Sequence, residues 1–558
     1  MSPTALPAEP LIGSSQPKTH NRINWQAVLP PVLVTLVFVT TNVLWSAFDH
    51  GLPDWDTAEH ILNGLTYRDL LRNPHLLDKN WIYQFLTVNY LYPPAVYIFS
   101  AVIKLVLGIQ PWVDVLIRTI YQAVLCISVY NITNMLAKSR LAAVLSVVFI
   151  NLYPQTSVLS HQLMLDFPTL SMVALALWAL LSWQEKPSHK RTVIVGFTIA
   201  FACLTKQLAG AFLVAPAFIV FLQTIIDKRF KDTGKLIASA TIPLALSLPW
   251  LMATYPSLKK LAAYNTSSMG TTGVSLTFAS EFTGYIAGFL FMMSPALLVG
   301  FIASLLLASS KTHRTFLVVS SSTIGGLLLL STLTWAYPLD RYAMSALITP
   351  ALYTGNAFAY AFNTWSSRFS QKILRFSLIA LLFIGVLQFL ILNYAPYPLP
   401  VPSTITRAFP ILAIGPRSRE TLDLTINPQP YDWGQSWTLE TIKSVDKVPV
   451  YLNIMPDSSE FNVHTFQYLA KLCKSQVVPT TSRQWSVTGD TLEFSPEKAM
   501  YYHWYLIKTG FQGHFFQQAE SQQSFDKLIN FVRQSSKFRL VATRSLPDRS
   551  ILFLYRQK

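Results

Sequence analysis

The chain has 558 residues, 51% of them hydrophobic and only 13% charged, about half the roughly 25% usual in soluble globular domains. With a mean hydropathy of +0.37 and repeated long apolar runs, it reads as a polytopic membrane protein rather than a soluble enzyme. The net charge of +16 does not indicate a nucleic-acid partner, because the basic residues fall in short clusters between apolar runs, as in cytoplasmic loops. Of the three cysteines, Cys126 and Cys203 lie in apolar runs and Cys473 stands alone in the polar tail, which argues against a disulfide framework or a cysteine-ligated zinc.

Residues 1–27 are largely polar and Pro/Ser-rich, so a disordered cytoplasmic tail is expected rather than a cleaved signal peptide. A span needs about 20 mostly apolar residues. Runs of that kind lie near 28–48, 113–136, 141–158, 167–183, 192–205, 208–225, 236–253, 284–308, 315–334, 342–362 and 373–393. A further run, 94–109, is short, opens with Pro93-Pro94 and carries Lys104 in its middle. If it crossed, Lys138/Arg140 and every later basic connection would face outward. If it lies on the membrane surface, all of them face the cytoplasm, as the positive-inside rule requires. The predicted architecture is therefore mainly α, with about eleven transmembrane helices, a cytoplasmic N-terminus and an extracytoplasmic C-terminus.

This count gathers several places on the outer face: a loop at 49–93, the turn before Asp166, the turn around Lys206, and loops at 254–283 and 335–341. Beyond residue 394 the chain becomes Pro-rich, then polar and mixed. "VPVYLNIM" predicts a strand, "NVHTFQYLAKLC", "SPEKAMYYHWYLI" and "SFDKLINFVRQ" predict helices, and "FRLVAT" with "SILFLYR" predict a closing hairpin. Together, 394–558 read as a C-terminal α/β domain outside the membrane. No glycine-rich phosphate loop opens its helices.

The first outer loop concentrates acids in "GLPDWDTAEH": Asp54, Asp56 and Glu59. They suit the N-terminus of an amphipathic helix running on through Ile61, Leu62, Leu65, Leu70 and Leu71. A partly desolvated carboxylate here would also be a stronger proton acceptor than one in water, since burial raises its pKa. Asp166 stands at the mouth of a span, two residues before Pro168, and is equally a plain helix start. His161, nearby, reads as structural. Lys206 sits between two apolar helices on the side where no positive-inside anchor belongs, which makes it a functional candidate, with snorkelling the plain alternative. Arg341, followed by Tyr342, opens a span from the outer side and is suited to a phosphate or to pairing with an acid. Lys259, Lys260 and Tyr264 are weaker candidates of the same kind.

In order and spacing, these elements resemble the polyprenyl-phosphate-sugar-dependent glycosyltransferases of the GT-C superfamily, in particular the protein O-mannosyltransferase and lipid A aminoarabinose transferase branch. The resemblance covers roughly residues 28–393 and rests on several motifs. Asp56-Thr57-Ala58-Glu59-His60 matches a D-E-A-x-H/Y-like motif, with Thr57 in place of its second acid. Tyr92-Pro93-Pro94 matches a Y/H-P-P motif leading into a surface helix, although Pro93 stands where aminoarabinose transferases carry a lysine. Asp166 in "LDFPTL", Thr205-Lys206, and Arg341-Tyr342 complete the set.

The resemblance implies a GT-C transmembrane catalytic module at 28–393, with its outer loop at 49–93 and its surface helix at 94–109. It implies an enzyme of the inner or plasma membrane of a bacterium that transfers a sugar from a polyprenyl-phosphate donor, with inversion, to a glycolipid, polysaccharide or protein acceptor. Asp56 would be the catalytic base. Asp166, Glu59 and His60 would support it or orient the acceptor or a metal, and Lys206, Arg341 and Tyr342 would hold the donor phosphate. Metal use varies across the superfamily, so a divalent cation stays open as a cofactor. The competing reading is a multi-span transporter of a lipid or anionic solute.

Overall fold

The computed structural model describes residues 25–271, 277–307, 314–333, 339–363, 369–394, 428, 432–458, 461–486, 489–492, 494–512 and 519–558. Nearly all of the expected N-terminal tail and the Pro-rich stretch after 394 lie outside the described residues.

Helix α1 (Trp25–Phe48) is the first span, and α2 (Trp55–Arg72) and α3 (Lys79–Thr87) fill the loop after it. Helix α4 (Ala95–Leu107) has 13 residues. At about 1.5 Å per residue it is roughly 20 Å long, too short for a hydrocarbon core of about 30 Å. Gly108, at φ +90°, ends it, and Pro111 starts α5 (Pro111–Ala137) in the opposite role. Lys104 is buried and paired with Asp114 of α5 at 2.7 Å, so the charge that marked the run as unusual anchors the short helix to its neighbour.

Helices α6 (Arg140–Leu152) and α7 (Pro154–Ser160) are bent by 73° at Tyr153-Pro154. They are followed by α8 (Asp166–Glu185), α9 (His189–Thr205), α10 (Ala209–Ile226) and α11 (Phe230–Thr271). The outer loop expected at 254–283 is thus largely helix: α11 continues through Thr271 despite Pro243, Pro249 and Pro256. The single span expected at 284–308 is instead two helices, α12 (Phe278–Met293) and α13 (Pro295–Leu307), bent by 112°. Ser294, at φ +67°, and Pro295 make the corner. After α14 (Arg314–Leu333), a 3₁₀ segment (Asp340–Leu347) precedes α15 (Ile348–Asn363), and α16 (Phe369–Tyr394) closes the membrane part.

Among the described residues, seven helices are long and apolar enough to cross a membrane, or nine if each bent pair is one span. The 17-residue α9 and the 16-residue α15 account for the difference from eleven. Small residues let the helices close. A Cβ at Gly355 of α15 would stand 2.2 Å from Ser146 Oγ and 2.6 Å from the Ser146 backbone nitrogen on α6.

The C-terminal part has a five-stranded mixed sheet in the order β2-β1-β5-β7-β6 and a small β3-β4 hairpin (Gln484–Ser486, Gly489–Thr491). Strand β1 (Val450–Ile454) runs parallel to β2 (Val477–Thr480) and to β5 (Trp504–Lys508). β7 (Ile551–Gln557) is antiparallel to β5 and to β6 (Phe538–Ser545). Helices α17 (Gln435–Val445) and α18 (Val463–Leu472) cover one face, where Trp504 and Leu506 join their core. The very short α19 (Pro496–Ala499) and the longer α20 (Ala519–Gln534) cover the other, where Tyr505 and Ile507 point. The helix expected over "SPEKAMYYHWYLI" is therefore corrected: only its start is helical, and Trp504–Lys508 is the central strand. A run buried on both faces has no polar alternation, so periodicity cannot separate it from a buried helix.

Gly355→Ala should destabilise the membrane part by about 1–3 kcal/mol through overpacking. Gly234→Ala, with nothing within 4 Å of the added methyl, should not. Thermal unfolding midpoints in detergent check both.

Candidate active site

Helices α8 and α9 are joined by a three-residue turn, Lys186–Ser188, so the first residue of α8 and the end of α9 lie at the same level. Asp166 opens α8 and Lys206 caps the C-terminus of α9. Each charge thus sits at the helix end whose dipole favours it. The two meet: Lys206 Nζ donates to Asp166 Oδ1 at 2.6 Å, with both side chains buried. Arg341, at the start of the 3₁₀ segment, brings its Nε to 4.0 Å from the other Asp166 oxygen, and its Nη1 donates to Asp56 Oδ2 at 3.1 Å. The result is an alternating row, Lys206–Asp166–Arg341–Asp56, built from four separate parts of the chain. Tyr342 lies beneath the cations: Lys206 Nζ is 4.3 Å from its ring centre and the Arg341 guanidinium carbon 5.7 Å. Tyr92 approaches Lys206 at 5.9 Å.

Asp56 is the open end of this row, with its side chain 43% exposed. Burial pushes its carboxyl up, but Arg341 above all, with His60 and Lys206, more than offsets this and holds it below the usual carboxylate range. This corrects the sequence expectation of a base strengthened by burial. In the resting protein Asp56 is a latched anion. Glu59 moves the other way: burial raises it, and Asp56 adds to that, against His464 and hydrogen bonds from Asn63 and Asn89. His60 is buried and its Nδ1 is 3.0 Å from the Tyr97 hydroxyl. Burial lowers its pKa to about 4, so the ring is neutral, wedged between Tyr97 and Tyr92.

The other acid of the first loop, Asp54, is not solvated. It is buried, and Gln162 Nε2 donates to it at 3.4 Å. His161 stacks on Trp45 at 4.5 Å, a structural role. Lys259 and Lys260 are exposed on α11, and the side chain of Tyr264 lies outside the described residues. Among the described residues, no three His, Cys, Asp or Glu side chains come together to hold a metal.

Sequence reasoning placed the C-terminal domain over the outer face, with acceptor binding as its expected role, but named none of the residues it brings to the site. Helix α18 lies on α2, where Thr465 Oγ1 donates to the Pro53 carbonyl at 2.9 Å and Lys471 pairs with Asp69 at 2.9 Å. Trp55 Nε1 donates to Asp457 Oδ1 at 2.7 Å, and Arg483 Nη1 donates to Asp457 Oδ2 at 2.7 Å. A cavity of about 530 Å³ opens between α2, residues 88–92 and this domain, with Asp56 and Glu59 in its wall. Asp457 follows β1 as an ordinary polar residue, and nothing in the local sequence ties it to Trp55.

Together, the bent spans, the short helix α4, the charged row at one end of the bundle and the appended mixed domain define a multi-pass membrane protein with a separate α/β domain. Residues 92–253 match the family model of dolichyl-phosphate-mannose-protein mannosyltransferases. The fold is similar to that of ArnT from Cupriavidus metallidurans, both bound to undecaprenyl phosphate (TM-score 0.52) and in the apo state (TM-score 0.54). Each match has 14% identity and covers 95% of this chain and 98% of the other. No curated protein matches the chain by sequence. The resemblance read from the motifs is borne out at the level of fold.

Removing one member of the buried Asp166–Lys206 pair leaves an uncompensated charge, at a cost of about 3–5 kcal/mol. Asp166→Asn and Lys206→Met should each lower the thermal midpoint. The double variant should fall by less than the sum of the two, as a double-mutant cycle on purified protein would show.

Proposed function

We propose that the protein is a membrane glycosyltransferase that moves a sugar from a polyprenyl-phosphate donor to an acceptor on the outer face of the membrane, with inversion at the anomeric carbon. The observation that carries this is the row Lys206–Asp166–Arg341–Asp56, in which two fixed cations adjoin one reachable carboxylate. A lipid phosphate delivered along the bilayer needs those cations and no nucleotide-binding domain.

In the reaction, the acceptor oxygen bonds to the anomeric carbon as the bond from that carbon to the phosphate oxygen breaks. The electron pair leaves with the polyprenyl phosphate, and the acceptor proton goes to Asp56. Lys206 is held by Asp166 and Arg341 by both acids, so the donors are aimed before the leaving group's charge develops. A phosphate that engages Arg341 draws it away from Asp56. The interaction that weakened the carboxylate as a base is then relieved, so the donor itself arms the base. Glu59 and neutral His60 position the start of α2, and Tyr342 supports the phosphate site.

The orientation is part of the proposal: N-terminus in the cytoplasm, module 28–393 in the membrane, domain 394–558 outside. The basic connections Lys138/Arg140 and Lys186/Lys190/Arg191 fall at the helix ends opposite Asp166 and Lys206, and Arg314 meets Asp227 at 2.7 Å, which supports this sidedness. Nothing in the fold match favours the transporter reading.

Asp56→Asn should reduce transfer from a radiolabelled polyprenyl-phosphate sugar by about 10²–10⁴-fold, with an unchanged thermal midpoint. Full activity in that variant would end the assignment of Asp56. Donor-gated arming also predicts a pH signature. In free enzyme Asp56 ionises at unusually acidic pH, so the acid limb of kcat/KM for the donor should lie low. The acid limb of kcat, which reports the donor complex, should lie at higher pH.

A further inference from the structure

The cavity bordering Asp56 has walls of two kinds. Trp55 and Tyr92 present aromatic rings, Asp56, Glu59 and Asp457 present carboxylates, and Arg483 and His464 are the basic side chains of the lining. Arg483 is already neutralised: its side chain is only 7% exposed and lies 2.7 Å from Asp457. The cations of the catalytic row, Lys206 and Arg341, do not line this cavity. An anionic acceptor entering it would meet three carboxylates, the His464 imidazole and a guanidinium already paired with one of those carboxylates. A hydroxyl-rich neutral molecule would find acceptors for its O–H groups and flat rings for its C–H faces. The volume, about 530 Å³, lies within the roughly 300–1,000 Å³ of small-molecule sites.

We infer that this cavity is the acceptor subsite, that it takes a neutral saccharide rather than a phosphate-bearing one or a peptide, and that the C-terminal domain reads it. The inference rests on the transferase reading and narrows its acceptor class. Asp457 is the hinge of the arrangement. It ties Trp55 of the first outer loop to Arg483 of the domain, so the platform for the sugar and the group that holds it are set by one carboxylate. The saccharide hydroxyl directed at Asp56 gives up its proton there, as its oxygen bonds to the anomeric carbon and the polyprenyl phosphate departs.

Saturation-transfer NMR on the full-length protein in nanodiscs tests this with maltose and xylobiose as neutral probes, glucose 6-phosphate as the anionic probe, and a Ser/Thr-rich peptide. Binding of a neutral disaccharide, weakened about tenfold or more in both Trp55→Ala and Arg483→Gln, is the expected result. Asp457→Asn, which leaves Arg483 uncompensated, should gain binding of glucose 6-phosphate, and its thermal midpoint reports whether it folds. Preferred binding of the phosphorylated sugar or the peptide by the parent protein overturns the inference. So does failure of both disaccharides to bind, or unchanged binding in the first two variants. Donor turnover in the same nanodiscs is read separately as release of polyprenyl phosphate. A parent protein that binds disaccharide but never consumes donor sinks the transferase reading, not the subsite. Normal donor consumption without saccharide binding sinks the subsite alone.

Discussion

The contact between Lys206 and Asp166 is the interaction on which the rest of the charged row depends. Burying a charge beside a bilayer is costly unless it is paired and its partner is fixed. Here the fixing comes from topology: two antiparallel helices joined by a short turn carry an acid at one helix's start and a base at the other's end, and these ends necessarily coincide. Arg341 can approach only because Asp166 has a second oxygen, and Asp56 is held only because Arg341 has a second face to offer. Take away the first pair and the other two charges lose their register.

The same logic extends to the soluble part. Its sheet is stabilised by two cores, one on each face. Helix α18 lies along α2 through one hydrogen bond to the Pro53 carbonyl and one ion pair to Asp69, and Asp457 reaches back to Trp55. Apolar packing joins the two parts as well: Tyr468 of α18 is buried in the core of the membrane part with Leu472 against it, and Leu52 packs on the core of the domain. The cavity beside Asp56 is therefore walled by both the helical part and the appended domain.

Much of this was legible in the chain, for a physical reason. Charges in apolar surroundings are expensive, so Asp166, Lys206 and Arg341 stood out one by one, and the sidedness of basic clusters brought them to one face. What could not be read was their pairing, because it depends on distances between elements far apart in sequence. The direction of the Asp56 shift failed for that reason: burial alone argued one way, and a guanidinium 285 positions along argued the other. The corner at Ser294-Pro295 and the strand at Trp504–Lys508 failed differently. Both lie in runs so uniformly apolar that no periodicity distinguishes a straight span from a bent one, or a strand from a helix.

Lys104 carries a consequence that reaches beyond packing. A lysine at the centre of an inserting helix costs about 2.5–3.5 kcal/mol, and α4 has only 13 residues with which to offset it. In the fold, the ammonium is ion-paired with Asp114. On the proposed orientation that single residue acts as a parity bit: were the segment to thread the bilayer, each later helix would run the opposite way, and the mixed domain would be stranded across the membrane from the carboxylate it partners.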